Sequence, residues 1–324
     1  MSAMPWLRRS VIVLLILLLI AIIGACIWAG SEIAAPARRP LQDYHREFLA
    51  DPAAHGVVVR PFTLTDGTPC LLVEPEPSGR LGARGAKIRE QLTAQNFKLS
   101  APGQTQGTLV LVHGRKGRKE DYLIIAERLC AAGFRCLLPD MPAHGDHPGT
   151  LATYGINESL IPARALAEAA QKFSFPPAPA GLMGMSMGGA VAMRAASGVV
   201  VWKALVIVSS FDTLESAIEK NVSDRVGGLW CLGAGRVYQW KSGHPLATLR
   251  SDQAAADVTM PTLMAHGTSD QVIPIESGRR LFAALPASLE KQWVEVPGAG
   301  HDNVLITDFP IYATIAGWML RHLQ

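Results

Sequence analysis

The chain of 324 residues has no long basic run with aromatics set between the charges. Its 30 lysines and arginines stand against 27 aspartates and glutamates, a formal net charge of +3, which gives nucleic acid no surface to hold. The densest basic cluster, RKGRK at 115–119, is too short to supply one. Cysteine is scarce as well. The five residues, at 26, 70, 130, 136 and 231, show no spacing that a metal site uses. With Cys26 inside an apolar run, the other four permit two disulfide bridges or none, and a buried free thiol is the commoner state. No internal repeat is visible, so the chain is not a repeat array. What remains is an ordinary globular composition, 49% hydrophobic and 18% charged, in a chain long enough for one large domain with attachments.

Long apolar runs are absent with one exception. After a basic N-terminal segment, residues 1–10 (MSAMPWLRRS), the uncharged stretch VIVLLILLLIAIIGACIWAG runs from Val11 to Gly30. That is close to the roughly 20 residues a helix needs to cross a bilayer, and a helix apolar on every side has no face for water. Its length favours an uncleaved, single-pass anchor over 11–30. A cleaved secretory signal is the alternative, with Arg8 and Arg9 before the Leu/Ile block. A lipoprotein processed at Ile23-Gly24-Ala25-Cys26 is a third reading, opposed by Ile27 and Trp28, which continue the apolar run. Arg8 and Arg9 before the span and Glu32 after it point to an inside N-terminus and an extracytoplasmic remainder; Arg38, Arg39 and Arg46 weaken that bias. Residues 31–56 read as a stalk with one short helix, carrying little core signal.

From Val57 the pattern changes. VVVRPFTLT and TPCLLVEP, separated by Asp66-Gly67, predict an antiparallel hairpin. A helix near 83–96 follows within polar, Gly/Pro-rich connections and reads as a surface excursion. Then apolar strands alternate with helices. TLVLVHG (108–114), FRCLLPD (134–140), APAGLMGM (178–185), KALVIVSS (203–210), TMPTLMAHG (259–267) and KQWVEVPG (291–298) read as strands. Helices are predicted near 119–132, 157–172, 187–197, 275–285 and 303–322. Strands apolar throughout imply a mostly parallel sheet covered on both faces. Residues 211–257 exceed a simple crossover and hold exposed-looking aromatics, Trp230, Tyr238 and Trp240, which suggests a lid; a second packing layer is the alternative.

One short stretch carries the chemistry. In GLMGMSMGGAVA (181–192), Ser186 is fenced by Gly184, Gly188 and Gly189. Either the glycines allow a turn too sharp for side chains, or they let a neighbouring helix come close. The strand-like AGLM before them and the helix after them favour the turn, the setting in which G-x-S-x-G exposes a nucleophile. An alcohol needs a base within reach and an acid to orient that base. Downstream, HGTSDQVIP (266–274) places Asp270 just past one strand, and VPGAGHDN (296–303) places His301 just past another. All three lie at carboxyl ends of strands, in the order Ser…Asp…His.

On GMSMGG, HGTSDQVIP and GAGH the chain resembles the α/β-hydrolase superfamily over roughly residues 57–322, with those motifs as nucleophile elbow, acid loop and histidine loop. Within it the chain is most similar to the membrane-tethered hydrolases of the ABHD13 and Bem46 kind. The resemblance implies an α/β-hydrolase fold of about eight strands over 57–324, and serine hydrolysis with Ser186, Asp270 and His301 as the triad. Asp212, after KALVIVSS, is the alternative acid, since some related enzymes place it there. Asp140 reads as stabilising the turn into MPAHGDHPG. His113 and His266 read as structural, and His144 with His147 lacks a convincing metal set. The oxyanion donors are expected to be the amides of Met187 and Arg115, the latter in the loop after TLVLVHG. The side chains of RKGRK either attract an anionic substrate or lipid headgroup or form a solvated loop.

The expected function is hydrolysis of a small or lipid-like ester or thioester by a membrane-tethered serine hydrolase, with no cofactor and no metal. A serine peptidase, an acyltransferase and a non-catalytic membrane binding protein on the same scaffold are the alternatives. Asn157-Glu158-Ser159 and Asn221-Val222-Ser223 match glycosylation acceptors, which matter only in a secretory pathway.

Overall fold

The sheet is most apolar at its centre. In a computed structural model, which describes residues 5–198, 201–219, 228–305 and 311–323, eight strands form one sheet in the order β1-β2-β4-β3-β5-β6-β7-β8. The two central strands, β3 (Gly107–Val112) and β5 (Ala180–Met185), carry no charged residue and are buried almost throughout. The edge strands, β1 (Val57–Thr63) and β8 (Lys291–Val296), carry charge and are largely half-exposed or open. Between them lie β2 (Pro69–Pro75), β4 (Phe134–Pro139), β6 (Trp202–Val208) and β7 (Thr262–Gly267). β1 and β2 form the expected antiparallel hairpin, with Val57 opposite Pro75 and Gly67 at φ +87° in its turn. β2 joins β4 antiparallel, and every remaining pairing is parallel.

Alternate residues of the inner strands feed two cores, as the period of a strand requires. Val110, Val112, Leu182, Leu205 and Ile207 face the helices Ile161–Phe173, Met187–Gly198 and Ile275–Ala284. Leu109, Leu111, Met183, Val206 and Val208 face the helices Ala83–Ala94, Leu123–Ala131 and Ile311–His322. Strand order reverses between β3 and β5, so the crevice outside their carboxyl ends is a topological switch point, the usual ligand position in such sheets.

Several elements differ from their sequence reading. The helix Ala83–Ala94 is no surface excursion: Leu92 is 0% exposed and Ile88 and Gly85 are buried against the helix Leu123–Ala131. That face is short, so its core signal is diluted by the charged residues around it. The predicted helix 119–132 begins as a 3-10 turn, Lys119–Tyr122. The closing helix is described from Ile311 onward.

Residues 31–56 are docked rather than a free stalk. Ala34 is 0% exposed, and Arg38 donates to the carbonyls of Gly145 (3.2 Å) and Gly149 (2.8 Å). The N-terminal helix, Pro5–Ala34, is apolar and long enough to cross a membrane, a property that a signal sequence shares. Its lower end packs on the helix Gly228–Ser242. A Cβ at Gly30 would lie 2.5 Å from the Ala234 carbonyl oxygen, and one at Gly233 would lie 2.5 Å from Cys26 Sγ. Within 211–257, Trp240 is 81% exposed but Tyr238 is fully buried, its ring 6.3 Å from that of Tyr154. The side chains of Trp230 and Cys231, and the triplet 221–223, lie outside the described residues. Cys70, Cys130 and Cys136 are buried free thiols.

Candidate active site

Ser186 lies between the end of β5 and the helix Met187–Gly198, at φ +55°. A side chain in the left-handed region costs about 1–2 kcal/mol, so the surroundings must impose it. They do so through the backbone. Ser186 N donates to Val208 O (2.9 Å), while Ser186 O accepts from Gly189 N (2.9 Å) and from Ser210 Oγ (2.9 Å). The glycines act in two ways. A Cβ at Gly184 would stand 2.0 Å from the Gly188 carbonyl oxygen, directly across the turn. At Gly188 it would stand 2.1 Å from Val112 O, and at Gly189 2.6 Å from Ser210 Cβ. The first glycine makes the turn and the other two let the helix press onto β3 and the end of β6. The turn reading therefore holds at Gly184, whereas Gly188 and Gly189 admit strands and not a neighbouring helix.

Asp270 and His301 come together. His301 Nδ1 donates to Asp270 Oδ2 at 2.8 Å, bridging the loops after β7 and β8. Oδ1 of Asp270 accepts from the amides of Val272 (2.9 Å) and Ile273 (2.8 Å), and His266 Nε2 lies 3.4 Å from Oδ2. Burial alone would raise this carboxyl. Hydrogen bonds from His266 and His301 outweigh it and hold the group well below the usual carboxylate range. With Nδ1–H engaged by the carboxylate, neutral His301 presents Nε2 as an acceptor. No hydrogen bond joins Ser186 Oγ to His301 among the described residues, a gap that substrate-free catalytic sites often show.

The loop after β3 reaches the serine. A Cβ at Gly114 would lie 3.4 Å from Ser186 Cβ and 4.0 Å from its Oγ. The amides of Met187 and Arg115 donate to no partner among the described residues. The basic cluster that follows is divided, its first half exposed and its second half buried, with the cations of both halves paired to carboxylates. Arg118 and Lys119 are buried, with Lys119 Nζ 2.8 Å from Asp140 and 2.5 Å from Asp146, and Arg115 and Lys116 face Glu32.

Other candidates find structural employment. Asp212 accepts from Arg280 Nε (2.6 Å), Ser277 Oγ (2.5 Å) and Ser216 Oγ (2.7 Å), and no bond joins it to His301 among the described residues. Asp140 accepts from the amides of Lys119 and Asp146, both at 2.8 Å, and so braces the 140–146 turn. His113 accepts from Met141 N (3.0 Å), and His144 Nδ1 donates to Pro142 O (2.8 Å). His147 Nε2 donates to Thr68 Oγ1 (3.1 Å) and its Nδ1 accepts from Gly149 N (2.8 Å). No metal-holding cluster occurs among the described residues. Sequence reasoning missed Ser210 and the contact of His266 with Asp270. The SS that follows β6 and the four-residue spacing of His266 and Asp270 were the available signals.

Comparison with known proteins agrees with this architecture. The profile of the Alpha/beta hydrolase family matches residues 109–313, more than half of the chain. An uncharacterized protein of Mycobacterium tuberculosis is 31% identical over 216 residues, which cover 62% of this chain and 66% of that protein, just under two thirds. Alpha/beta hydrolase domain-containing protein 17C of Homo sapiens is 43% identical over 47 residues, 14% of each chain. An esterase of Pyrococcus furiosus superposes with TM-score 0.63, covering 90% of this chain and 98% of its own at 14% identity, a likeness of fold. The chain belongs to the alpha/beta hydrolase family.

Proposed function

We propose that the protein is a membrane-anchored serine hydrolase that cleaves carboxylic esters or thioesters through an acyl-enzyme. The observation that carries this reading is the 2.8 Å bond between His301 and Asp270 on the sheet edge where strained Ser186 emerges. His301 Nε2 takes the proton from Ser186 Oγ as that oxygen bonds to the substrate carbonyl carbon. The charge on the carbonyl oxygen is met by the amides of Met187 and Arg115, each worth about 3 kcal/mol in the transition state. Imidazolium then protonates the leaving alcohol or thiol as its bond breaks. Water repeats the sequence on the acyl-serine, releasing the acid. Asp270 holds the imidazole in the required tautomer and stabilises its charged form.

An ester or thioester with an apolar acyl chain is favoured by the apolar N-terminal helix docked beside the site and by the exposed Trp240 and Leu232 on the helix packed against it. The test is a panel of chromogenic esters of graded chain length, a thioester and an aminoacyl amide, offered to detergent-solubilised full-length protein. Ester or thioester turnover should exceed that of the amide, and Ser186→Ala should abolish it while the thermal unfolding profile stays that of a folded protein. Retained turnover in that variant contradicts the assignment.

A further inference from the structure

The N-terminal helix Pro5–Ala34 ends in bonds to the catalytic domain. A helix leaves its last four carbonyls without intrahelical donors, and here each of the four from residues 31 to 34 is answered. Ser31 O accepts from Ala35 N (2.7 Å) and Glu32 O from Arg115 Nη2 (2.8 Å). Ile33 O accepts from the Tyr154 hydroxyl (2.9 Å) and Ala34 O from Ala152 N (2.7 Å). One of these donors is the side chain of Arg115, whose amide is the second proposed oxyanion donor. The Glu32 carboxylate adds a second hold, 3.4 Å from Arg115 Nη2 and 3.4 Å from Lys116 Nζ.

The loop held in this way needs holding. Lys116 sits at φ +60°, and Gly117 N donates to Gly114 O (3.0 Å) to close the turn. From inside, His113 Nδ1 donates to the same Gly114 oxygen (2.9 Å). The turn is therefore gripped between a buried histidine and the end of the N-terminal helix, with Gly114 against Ser186.

We propose that Glu32 is a positioning residue of the active site: through Arg115 and Lys116 it fixes the 114–117 turn so that the Arg115 amide meets the developing oxyanion. The last turn of the N-terminal helix is then part of the catalytic architecture and not only a tether. This rests on the serine-hydrolase reading above. The pair is half-exposed, and such ion pairs add little to stability, so its loss is read in rate rather than in melting.

The test uses full-length protein in detergent with p-nitrophenyl butyrate as substrate, comparing wild type, Glu32→Gln, Arg115→Gln and the double variant. Small misplacements of a catalytic donor are costly, so kcat should fall by about tenfold or more in Glu32→Gln, with KM within about twofold and melting temperature unchanged. A trifluoromethyl ketone, whose serine adduct carries the oxyanion, should weaken by the same factor as kcat/KM. The double variant should be no worse than the poorer single one. An unchanged kcat in Glu32→Gln overturns the proposal, as does a fall in kcat matched by a fall in melting temperature. Wild-type turnover that Ser186→Ala abolishes keeps the hydrolase reading standing in either case; a wild type without turnover removes both.

Discussion

Asp270 and Asp212 are both carboxylates held below the usual range, but they answer to different partners. Burial opposes ionisation at each. At Asp270 two histidines outweigh it, and at Asp212 Arg280, Ser277 and Ser216 do so, bringing that group down to about 2. Asp270→Asn removes the acceptor that orients His301 and should lower kcat by roughly 10⁴-fold with the fold retained. Asp212→Asn should leave kcat within a few-fold and lower the melting temperature. Because the folded carboxyl titrates below its unfolded value of 3.8, its stabilisation is present above about pH 4 and is lost as pH falls toward 2. Melting temperatures of wild type and Asp212→Asn should therefore converge over that window. His144 gives a second pH signature. Burial, with His113 beside it, pushes this imidazole down to about 3. It stays neutral in the fold while its unfolded counterpart takes a proton near 6.5, so stability falls from about pH 6.5 toward 3, and His144→Asn should flatten that slope in thermal unfolding scans. The sequence could offer Ser186, Asp270 and His301 as candidates because each falls just past the end of a strand, and the structure brings Asp270 and His301 into contact. Ser210 and the His266 contact were not legible, since serine and histidine serve many roles and only the close approach of β6 and β7 to the site defines these.

At the scale of elements, small residues decide how closely helices approach. Gly30 lets the N-terminal helix cross Gly228–Ser242 at backbone contact, whereas Gly24, one and two-thirds turns earlier, has nothing within 4 Å. Gly30→Leu should therefore lower the melting temperature in detergent by several degrees, the result of forcing two packed helices apart. Gly24→Leu should leave it unchanged. The strands were readable because burial on both faces writes itself as an unbroken apolar run. Contacts made through a glycine and two aliphatic side chains, as in Ala83–Ala94, leave too faint a pattern. Tyr238 reads as exposed from sequence for the same reason: an aromatic set among polar residues, with Trp230 and Trp240 nearby, carries no sign of the Tyr154 ring it meets.

For the whole molecule, the site and the apolar helix form one construction. The sheet gathers the ends of β3, β5, β7 and β8 at one rim, and the end of the N-terminal helix is bonded to a loop of that rim. An apolar sequence shows that a helix can enter a bilayer, but not that its last carbonyls are capped by a domain 80 to 120 residues away. If Ser186 is a nucleophile activated from that rim, a fluorophosphonate added to the folded, full-length protein should modify it, and peptide mass spectrometry maps the adduct. The expected result is a single adduct on Ser186, strongly slowed in His301→Gln at unchanged melting temperature. An unlabelled Ser186 in folded protein, or labelling that proceeds at the same rate without His301, would contradict that activation.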